Sequence, residues 1–135
     1  MAKESGLGHT CSVDDSGGTA RVIGNDITDL TYGTPRGVQD ITGINSSARE
    51  TLLLLADFTI TMNGVFNDAV APSAHDCFKT VPSSTVTRTI TLAISGQTLP
   101  NEANLTDYAL TRAPTGELTW SVPGVLNSTV VPTWA

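Results

Sequence analysis

The sequence predicts an all-β domain, a β-sandwich or barrel of roughly seven or eight strands, with one short flanking α-helix. Three observations lead to this prediction. Apolar and polar residues alternate with period two in several runs, most clearly in residues 84–95. Threonine, which suits a pleated surface, fills many polar positions of these runs. Glycine and proline turn signals separate the runs at regular spacing, and 135 residues correspond to one domain.

The two ends of the chain differ from its middle. Residues 1–18 are rich in glycine, serine and aspartate without periodicity, which predicts an extended or mobile N-terminal arm. The single β-domain is then expected over residues 19–122. Its first strands are predicted at three short runs between turn signals, 19–23, 27–32 and 38–42. Residues 123–135 contain two prolines and are predicted to form an extended C-terminal tail, docked by Trp134.

A helix is predicted for residues 48–55, where the strand period is lost. Ser47 stands three residues before Glu50, the spacing of a capping box, and a run of leucines follows. Consecutive leucines place apolar side chains all around a helix, so one face can enter the core while another needs a partner. We therefore expect four residues to take part in self-association: Leu52, Leu53, Leu54 and Leu55.

The remainder of the domain is predicted to be mostly strand. Alternating runs predict strands at 57–66, 84–95, 103–112 and 118–122. Ser95 and Gly96 supply a tight turn after the strongest of these runs. Residues 74–81 instead carry apolar side chains at helical spacing, which predicts one or two helical turns with Ser73 as N-cap and Pro82 as the stop.

The charge pattern indicates packing between copies rather than nucleic-acid binding. Thirteen acidic and seven basic residues give a net charge of −6, and phosphate backbones repel an acidic chain. A protein that lets nucleic acid slide past without sticking would carry this sign. Only 15% of residues are charged, so the charged coat is thin, which suits a subunit packed against copies of itself. The longest apolar run, 52–56, is far too short to span a membrane.

Reactive side chains are scarce in this sequence. Cys11 and Cys77 form neither a CxxC pair nor a disulfide framework, and no signal-peptide core is evident, so we expect reduced thiols and synthesis in the cytosol. Ser73, His75 and Asp76 lie too close along one helical turn to aim at a common point, and we interpret them as a cap and surface polar groups. The sequence predicts neither an enzyme nor a bound metal or cofactor.

Arg88 lies on the apolar face of the run 84–95 and has two interpretations. In the first, it is a strand-end residue whose aliphatic stem carries the charge to solvent. In the second, it forms an ion pair with an acidic residue of a neighbouring copy, and Glu102 or Asp107 is the candidate partner. The sequence leaves both interpretations open.

The C-terminal half resembles the major tail proteins of long-tailed siphophages, especially those that infect actinobacteria. The segments that carry the resemblance are TVTRTITLAISG at 85–96, LTDYALTR at 105–112 and GELTWS at 116–121. The stretches 50–67, 75–81 and 131–135 fit the same pattern, so the resemblance covers about residues 19–135. The resemblance depends on the pattern of residue types along the strands, because the family has no catalytic motif.

The resemblance implies a structural virion protein without enzymatic activity or cofactor. In that family a β-sandwich with a flanking helix forms hexameric rings, the rings stack into the tail tube, and long hairpins join into an inner barrel whose acidic lumen conducts DNA. Residues 84–95 would then form barrel strands, and the arm and tail would bridge rings. The implied self-assembly residues are Leu52, Leu53, Leu54, Leu55, Arg88 and Trp134.

The resemblance also implies the partners and the location. The partners would be further copies of the chain, the tape measure, terminator and distal tail proteins, and viral DNA that passes through the lumen without specific binding. The location would be the virion tail, assembled in the host cytoplasm, with no membrane contact.

Two other classes of protein fit the same sequence. A capsid decoration or tail-terminator-like virion protein would form a trimer or a single ring that does not extend. A cellular β-sandwich that binds carbohydrate or protein would be monomeric, with an aromatic-lined pocket. Aromatic residues make up only 5% of the chain, which places this second alternative last.

Overall fold

Ten strands and one α-helix are present in the part of the chain that the structure describes, residues 5–70 and 73–135 of a computed structural model. The elements are β1 (Thr10–Asp14), β2 (Ala20–Val22), β3 (Ile27–Gly33), β4 (Arg36–Asp40), β5 (Thr51–Ala56), β6 (Thr59–Val65), α1 (Ala74–Phe78), β7 (Arg88–Ile94), β8 (Gln97–Leu105), β9 (Ala109–Arg112) and β10 (Leu118–Leu126). Short 3₁₀ turns lie at Gly24–Asp26 and Val81–Ser83. The predicted all-β class with one short helix is confirmed.

Eight of the strands form one antiparallel sheet that curls on itself. The order is β2-β1-β7-β8-β10-β6-β3, and β9 also pairs with β10. β2 and β3 are at opposite ends of this order, yet only residues 23–26 separate them in the chain. So short a link spans at most about 18 Å, which brings the two outer strands close to each other. The core therefore lies between the two halves of one folded sheet.

The core draws on both halves of the sheet and on α1. Its largest buried side chains are Trp120, Phe58, Phe78, Ile23, Met62, Ile90, Leu92 and Leu99. The rings of Phe78 and Trp120 have centroids 5.3 Å apart, and Trp120 Nε1 donates to the Val65 carbonyl at 3.0 Å. Gly64 lies flat against this indole, since a Cβ at this position would be 2.6 Å from Trp120 Cζ2 and would overlap the Asp26 carbonyl. The β6 backbone thus needs glycine here.

The helix α1 is held by side chains at its N-terminal end. Ser73 is the N-cap, as predicted: its hydroxyl accepts from the Asp76 amide at 3.2 Å and donates to the Ala69 carbonyl at 2.7 Å. The Asp26 carboxylate accepts from the Ala74 amide at 2.8 Å. These bonds fix α1 to the 3₁₀ turn that precedes β3.

Most predicted strands are present with shifted ends. The runs 57–66 and 84–95 contain β6 and β7, and the turn between β7 and β8 consists of Ser95 and Gly96. Both turn residues have positive φ, 53° and 79°, which matches the twist of a two-residue hairpin. The run 103–112 is divided between the end of β8 and β9.

Three expectations about the organisation of the chain differ from the structure. Residues 1–4 of the predicted arm lie outside the described residues, and β1, within the same segment, is a sheet strand between β2 and β7. β10 continues to Leu126, inside the segment 123–135 that was expected to be an extended tail. The helix predicted for residues 48–55 is wrong, because β5 is a strand that pairs with β4.

Candidate self-assembly surface

β4 and β5 form a separate two-stranded ribbon that pairs with no other strand of the described chain. The pairs run from Arg36 with Ala56 at the base to Asp40 with Thr51 at the tip, and the register shifts between Arg36 and Val38. At the base, the Asp57 amide donates to the Pro35 carbonyl at 3.0 Å. We call residues 36–56 the projecting hairpin. A two-stranded hairpin alone is at best marginally stable in water, so packing against another surface would stabilise this one.

The apolar side chains of the projecting hairpin are exposed in the single chain. Leu52, Leu53 and Leu54 are about half exposed, and Leu55 is 90% exposed. Val38, directly opposite Leu53, is also exposed. Successive strand residues face opposite sides, so both faces of the ribbon are apolar. A contiguous apolar surface of this kind is typical of a protein–protein interface.

The prediction of a helix fails here because a short apolar run has no diagnostic period. A run of a few leucines fits a strand as well as a helix, and pairing with β4 decides the outcome. The expectation that one face of Leu52–Leu55 needs a partner was derived for a helix, and the exposure of these leucines in β5 gives a separate reason for it. Their role in self-assembly stays a prediction.

The loop at the tip of the projecting hairpin is ordered by its own polar groups. The Asp40 carboxylate accepts from the Thr42 hydroxyl at 2.6 Å and from the Thr42 amide at 2.9 Å. These bonds, the hydroxyl first, lower the pKa of Asp40. The Glu50 amide donates to Thr42 Oγ1 at 2.8 Å, and the Ser46 amide donates to the Gly43 carbonyl at 3.0 Å. The loop is a fixed turn that displays its side chains.

Arg88 is inside the subunit, with 2% of its surface exposed. One guanidinium nitrogen donates to the carbonyls of Asp14 at 3.0 Å and Cys77 at 2.9 Å, and the other donates to Thr80 Oγ1 at 3.1 Å. Its charge therefore reaches neither solvent nor a neighbouring copy, which corrects both interpretations from the sequence. Glu102, one of its candidate partners, instead accepts from the Thr89 hydroxyl at 2.6 Å. Arg88 fastens β1, α1 and β7 together.

Trp134 lies at an aromatic cluster that joins both ends of the described chain. Its ring is 6.3 Å from that of Tyr32, whose hydroxyl lies 2.9 Å from His9 Nε2. Next to it, Ala135 exchanges two backbone hydrogen bonds with Thr98, at 2.9 and 3.0 Å. Trp134 is half exposed, and its part in self-assembly stays a prediction.

The outer face of the sheet is polar and weakly charged. Thr89 and Thr91 lie beside Glu102 and Pro100 on β8, and Thr61 lies beside Thr31 of β3. These positions alternate with the buried ones along each strand, as the sequence predicted for the run 84–95. Exposed valines such as Val65 lie among these threonines.

The reactive side chains singled out from the sequence do not converge. Ser73 caps α1, His75 Nδ1 lies 3.0 Å from the Tyr108 hydroxyl, and Asp76 pairs with Lys79 at 3.0 Å. Within residues 5–70 and 73–135, no group of three or more histidine, cysteine or acidic side chains could hold a metal ion. The same part of the chain contains no helix long and apolar enough to cross a membrane.

Both cysteines are buried thiols. Burial raises the pKa of Cys11 to about 12, and burial also raises the pKa of Cys77 to about 12. Cys77 Sγ lies 3.4 Å from the Asp14 carbonyl and 3.6 Å from the Val13 carbonyl. Neither is a reactive nucleophile, because the thiolate is the nucleophilic form.

No family profile and no curated protein sequence matches this chain. Solved structures do share its fold. A chain from the virion of a native gene transfer agent particle matches with a TM-score of 0.78 and 14% identity, covering 97% of this chain and 99% of that one. A chain from the tail of an empty gene transfer agent particle, refined helically with C6 symmetry, matches with a TM-score of 0.78 and 16% identity over the same shares.

A third likeness comes from a different particle. A chain from the six-fold symmetrised baseplate of an anti-feeding prophage matches with a TM-score of 0.66 and 9% identity, covering 100% of this chain and 97% of that one. At these identities the matches show a common fold over the whole described domain.

Proposed function

We propose that this chain is a structural subunit of a phage-like tail, and that its projecting hairpin packs between copies to build hexameric rings that stack into a tube. The observation that carries the proposal is the hairpin itself: its two apolar faces stay about half exposed or more in the described chain. The whole-chain likeness to a chain of a C6-symmetric tail supports a repeating assembly. In a ring, neighbouring copies would cover both faces and the free edges of β4 and β5.

The distribution of charge supports a DNA-conducting lumen. Outside the projecting hairpin, the described residues include ten acidic and four basic side chains. Arg21 and Lys79 are paired with Asp15 and Asp76, and Arg88 is buried. The projecting hairpin has two acidic and two basic residues and is neutral overall. A neutral contact surface on an acidic body suits close packing of copies around DNA that must pass without sticking.

The remaining parts of the proposal follow from this role. The subunit would contact tape measure, terminator and distal tail proteins where the tube starts and stops. It would be located in the virion tail after assembly in the host cytoplasm. We assign it no catalytic residue and no cofactor.

Electron microscopy of the purified protein, concentrated at neutral pH, tests the proposal. Stacked rings or hollow tubes of uniform diameter are expected. A strict monomer at every concentration would contradict it. The anti-feeding prophage likeness comes from a baseplate, which favours a second candidate: a tail component that forms one closed ring. Rings that never stack would support that candidate, and trimers would support a decoration protein.

A matched pair of variants tests the role of the projecting hairpin. Leu53→Asp should abolish assembly, because it places a charge on a surface that becomes buried between copies. Val65→Asp is the control, since Val65 is 53% exposed against 55% for Leu53 but lies on the outer face of β6. Normal tubes from folded Leu53→Asp protein would show that the hairpin is not the interface.

A further inference from the structure

We infer that the tip of the projecting hairpin of one copy docks in a cleft beside the C-terminal segment of the next copy. The inference rests on the proposed function and names the surface that receives the hairpin. We call this the C-terminal cleft; its lining residues are Leu55, Ala56, Leu126 and residues 128–131. The occupant is a second copy of this chain, through Ile44 and Arg49.

The C-terminal cleft calls for an apolar occupant. It has a volume of about 340 Å³ and lies between the base of β5 and the segment that follows β10. Leu55, Val130 and Val131 are all largely exposed in it. The Ser128 hydroxyl already accepts from the Val130 amide at 3.0 Å, so this polar group is satisfied within the segment. Burying the apolar lining would stabilise a contact.

Ile44 is an exposed apolar side chain at the tip of the projecting hairpin. It is fully exposed, and it lies inside the turn closed by the Ser46 amide and the Gly43 carbonyl. The bonds among Asp40, Thr42 and Glu50 hold the base of this turn. A side chain displayed by a pre-ordered turn loses little entropy on docking.

One charged side chain near each surface, Arg49 on the tip loop and Glu102 beside the C-terminal segment, could pair across the contact. Arg49 lies in the tip loop and forms no ion pair with any residue that the structure describes. Across the C-terminal segment from the cleft, Glu102 lines a second, smaller cleft of about 200 Å³ together with Val130 and Val131. The carboxylate of Glu102 would face an arginine that arrives with Ile44. Complementary charges of this kind fix the register of an interface.

The contact must form between copies because the ribbon keeps its two ends apart. Arg36 and Ala56 pair at the base and Asp40 and Thr51 at the tip, so the two ends are separated by about 16 Å of strand. One copy cannot place its own Ile44 against its own Leu55. A tip-to-base contact joins different surfaces of two copies, and such contacts generate rings or helical filaments.

Mixed cysteine variants test the inference. Ile44→Cys protein is mixed with Val130→Cys protein under mild oxidation and analysed by non-reducing electrophoresis. The mixture is expected to give clearly more disulfide-linked dimer than either variant oxidised alone, and each chain carries one engineered cysteine, so a 44–130 bond can form only between chains. The native thiols are buried, so we expect them to form no disulfide in this experiment. Val65→Cys mixed with Val130→Cys is the control and should give at least about tenfold less heterodimer, a ratio equivalent to about 1.4 kcal/mol.

The outcomes separate this inference from the proposed function. Rings or tubes that show no 44–130 cross-link would overturn the docking site and leave the structural role standing. Protein that neither assembles nor cross-links at any concentration would overturn both. Cross-linking without visible rings would support the docking site and contradict the tube.

Charge reversal gives an independent measurement. Arg49→Glu should raise the protein concentration needed for assembly about tenfold, and adding Glu102→Arg should restore it to within about threefold. Arg112→Glu on the exposed strand β9 is the control, with no expected change. A double variant that assembles no better than Arg49→Glu would exclude the proposed ion pair.

Discussion

The curled sheet and the projecting hairpin place the same kinds of residue in opposite environments. Leu92 on β7 is completely buried, whereas Leu55 on β5 is 90% exposed. The sheet buries its apolar side chains within the subunit, because its two halves, α1 and Arg88 enclose one core. Among the described residues, the hairpin has two strands that pair with no further strand, and the backbone bond from the Asp57 amide to the Pro35 carbonyl lies at its base. The buried core therefore lies in the sheet, and the exposed apolar surface that we propose as the contact with another copy lies in the hairpin.

The largest expected effect on the sheet is produced by Gly64→Ala. The added Cβ would meet the Asp26 carbonyl and the Trp120 ring, so β6 would have to move away from the core. We expect a loss of about 4 kcal/mol or more in the free energy of unfolding, measured by urea denaturation. Gly33→Ala is the matched control on the neighbouring strand, because nothing lies within 4 Å of its Cβ. Equal losses in both variants would mean that Gly64 has no special packing role.

A pair of leucine variants tests the comparison directly. Leu92→Ala should lower the free energy of unfolding by about 3 kcal/mol, because it leaves a cavity in the core. Leu55→Ala should change it by less than about 0.5 kcal/mol, because that side chain is almost fully exposed in the single chain. Both are measured on dilute, unassembled protein. A large loss in Leu55→Ala would show that the projecting hairpin packs on its own sheet.

Arg88→Met tests how the sheet holds α1. The substitution keeps an unbranched apolar stem but leaves the Asp14 and Cys77 carbonyls and the Thr80 hydroxyl without their donor. We expect a loss of about 2 kcal/mol by thermal or chemical denaturation. Arg112→Met on β9 serves as the exposed control and should be nearly neutral. An unchanged stability in Arg88→Met would argue that water replaces the guanidinium without cost.

A smaller effect with a defined pH dependence is expected at the turn between β1 and β2. The Thr19 amide, followed by Arg21 and the Gly17 amide, holds the pKa of Asp15 below its ordinary value. A lowered folded-state pKa contributes stability above the unfolded value, about 3.9, and this contribution is lost as the pH falls through the folded-state pKa. Asp15→Asn should therefore cost about 1 kcal/mol at pH 7 and less below about pH 4. A pH-independent difference would assign the effect to shape alone.

The sequence predicts the sheet better than the hairpin for a physical reason. The period-two runs that contain β6 and β7 are buried on one face, so their alternation identifies the residues that face the core. Ser73 and the Ser95–Gly96 turn are local signals, and both lie where they were predicted. β1 was missed because Cys11 and Val13 are its only buried residues, in a segment rich in turn formers.

The projecting hairpin has no buried face that would impose an alternating pattern on its sequence. Its leucines face no core within the chain, so their spacing carries no information about period. Arg88 was misplaced because burial of a guanidinium depends on carbonyls from β1 and α1, which are distant in sequence. The expectation that Leu52–Leu55 needs a partner came from the run of four consecutive leucines, and it stays a prediction.

The narrow base of the projecting hairpin has a mechanical consequence. The backbone bond between Asp57 and Pro35 lies at this base, where two chain crossings connect the ribbon to the packed sheet. If copies assemble through the hairpin, as proposed, this narrow joint lies between each packed sheet and its neighbour. An assembly built through this joint could flex along its length by bending at the hairpin bases, while each sheet keeps its shape.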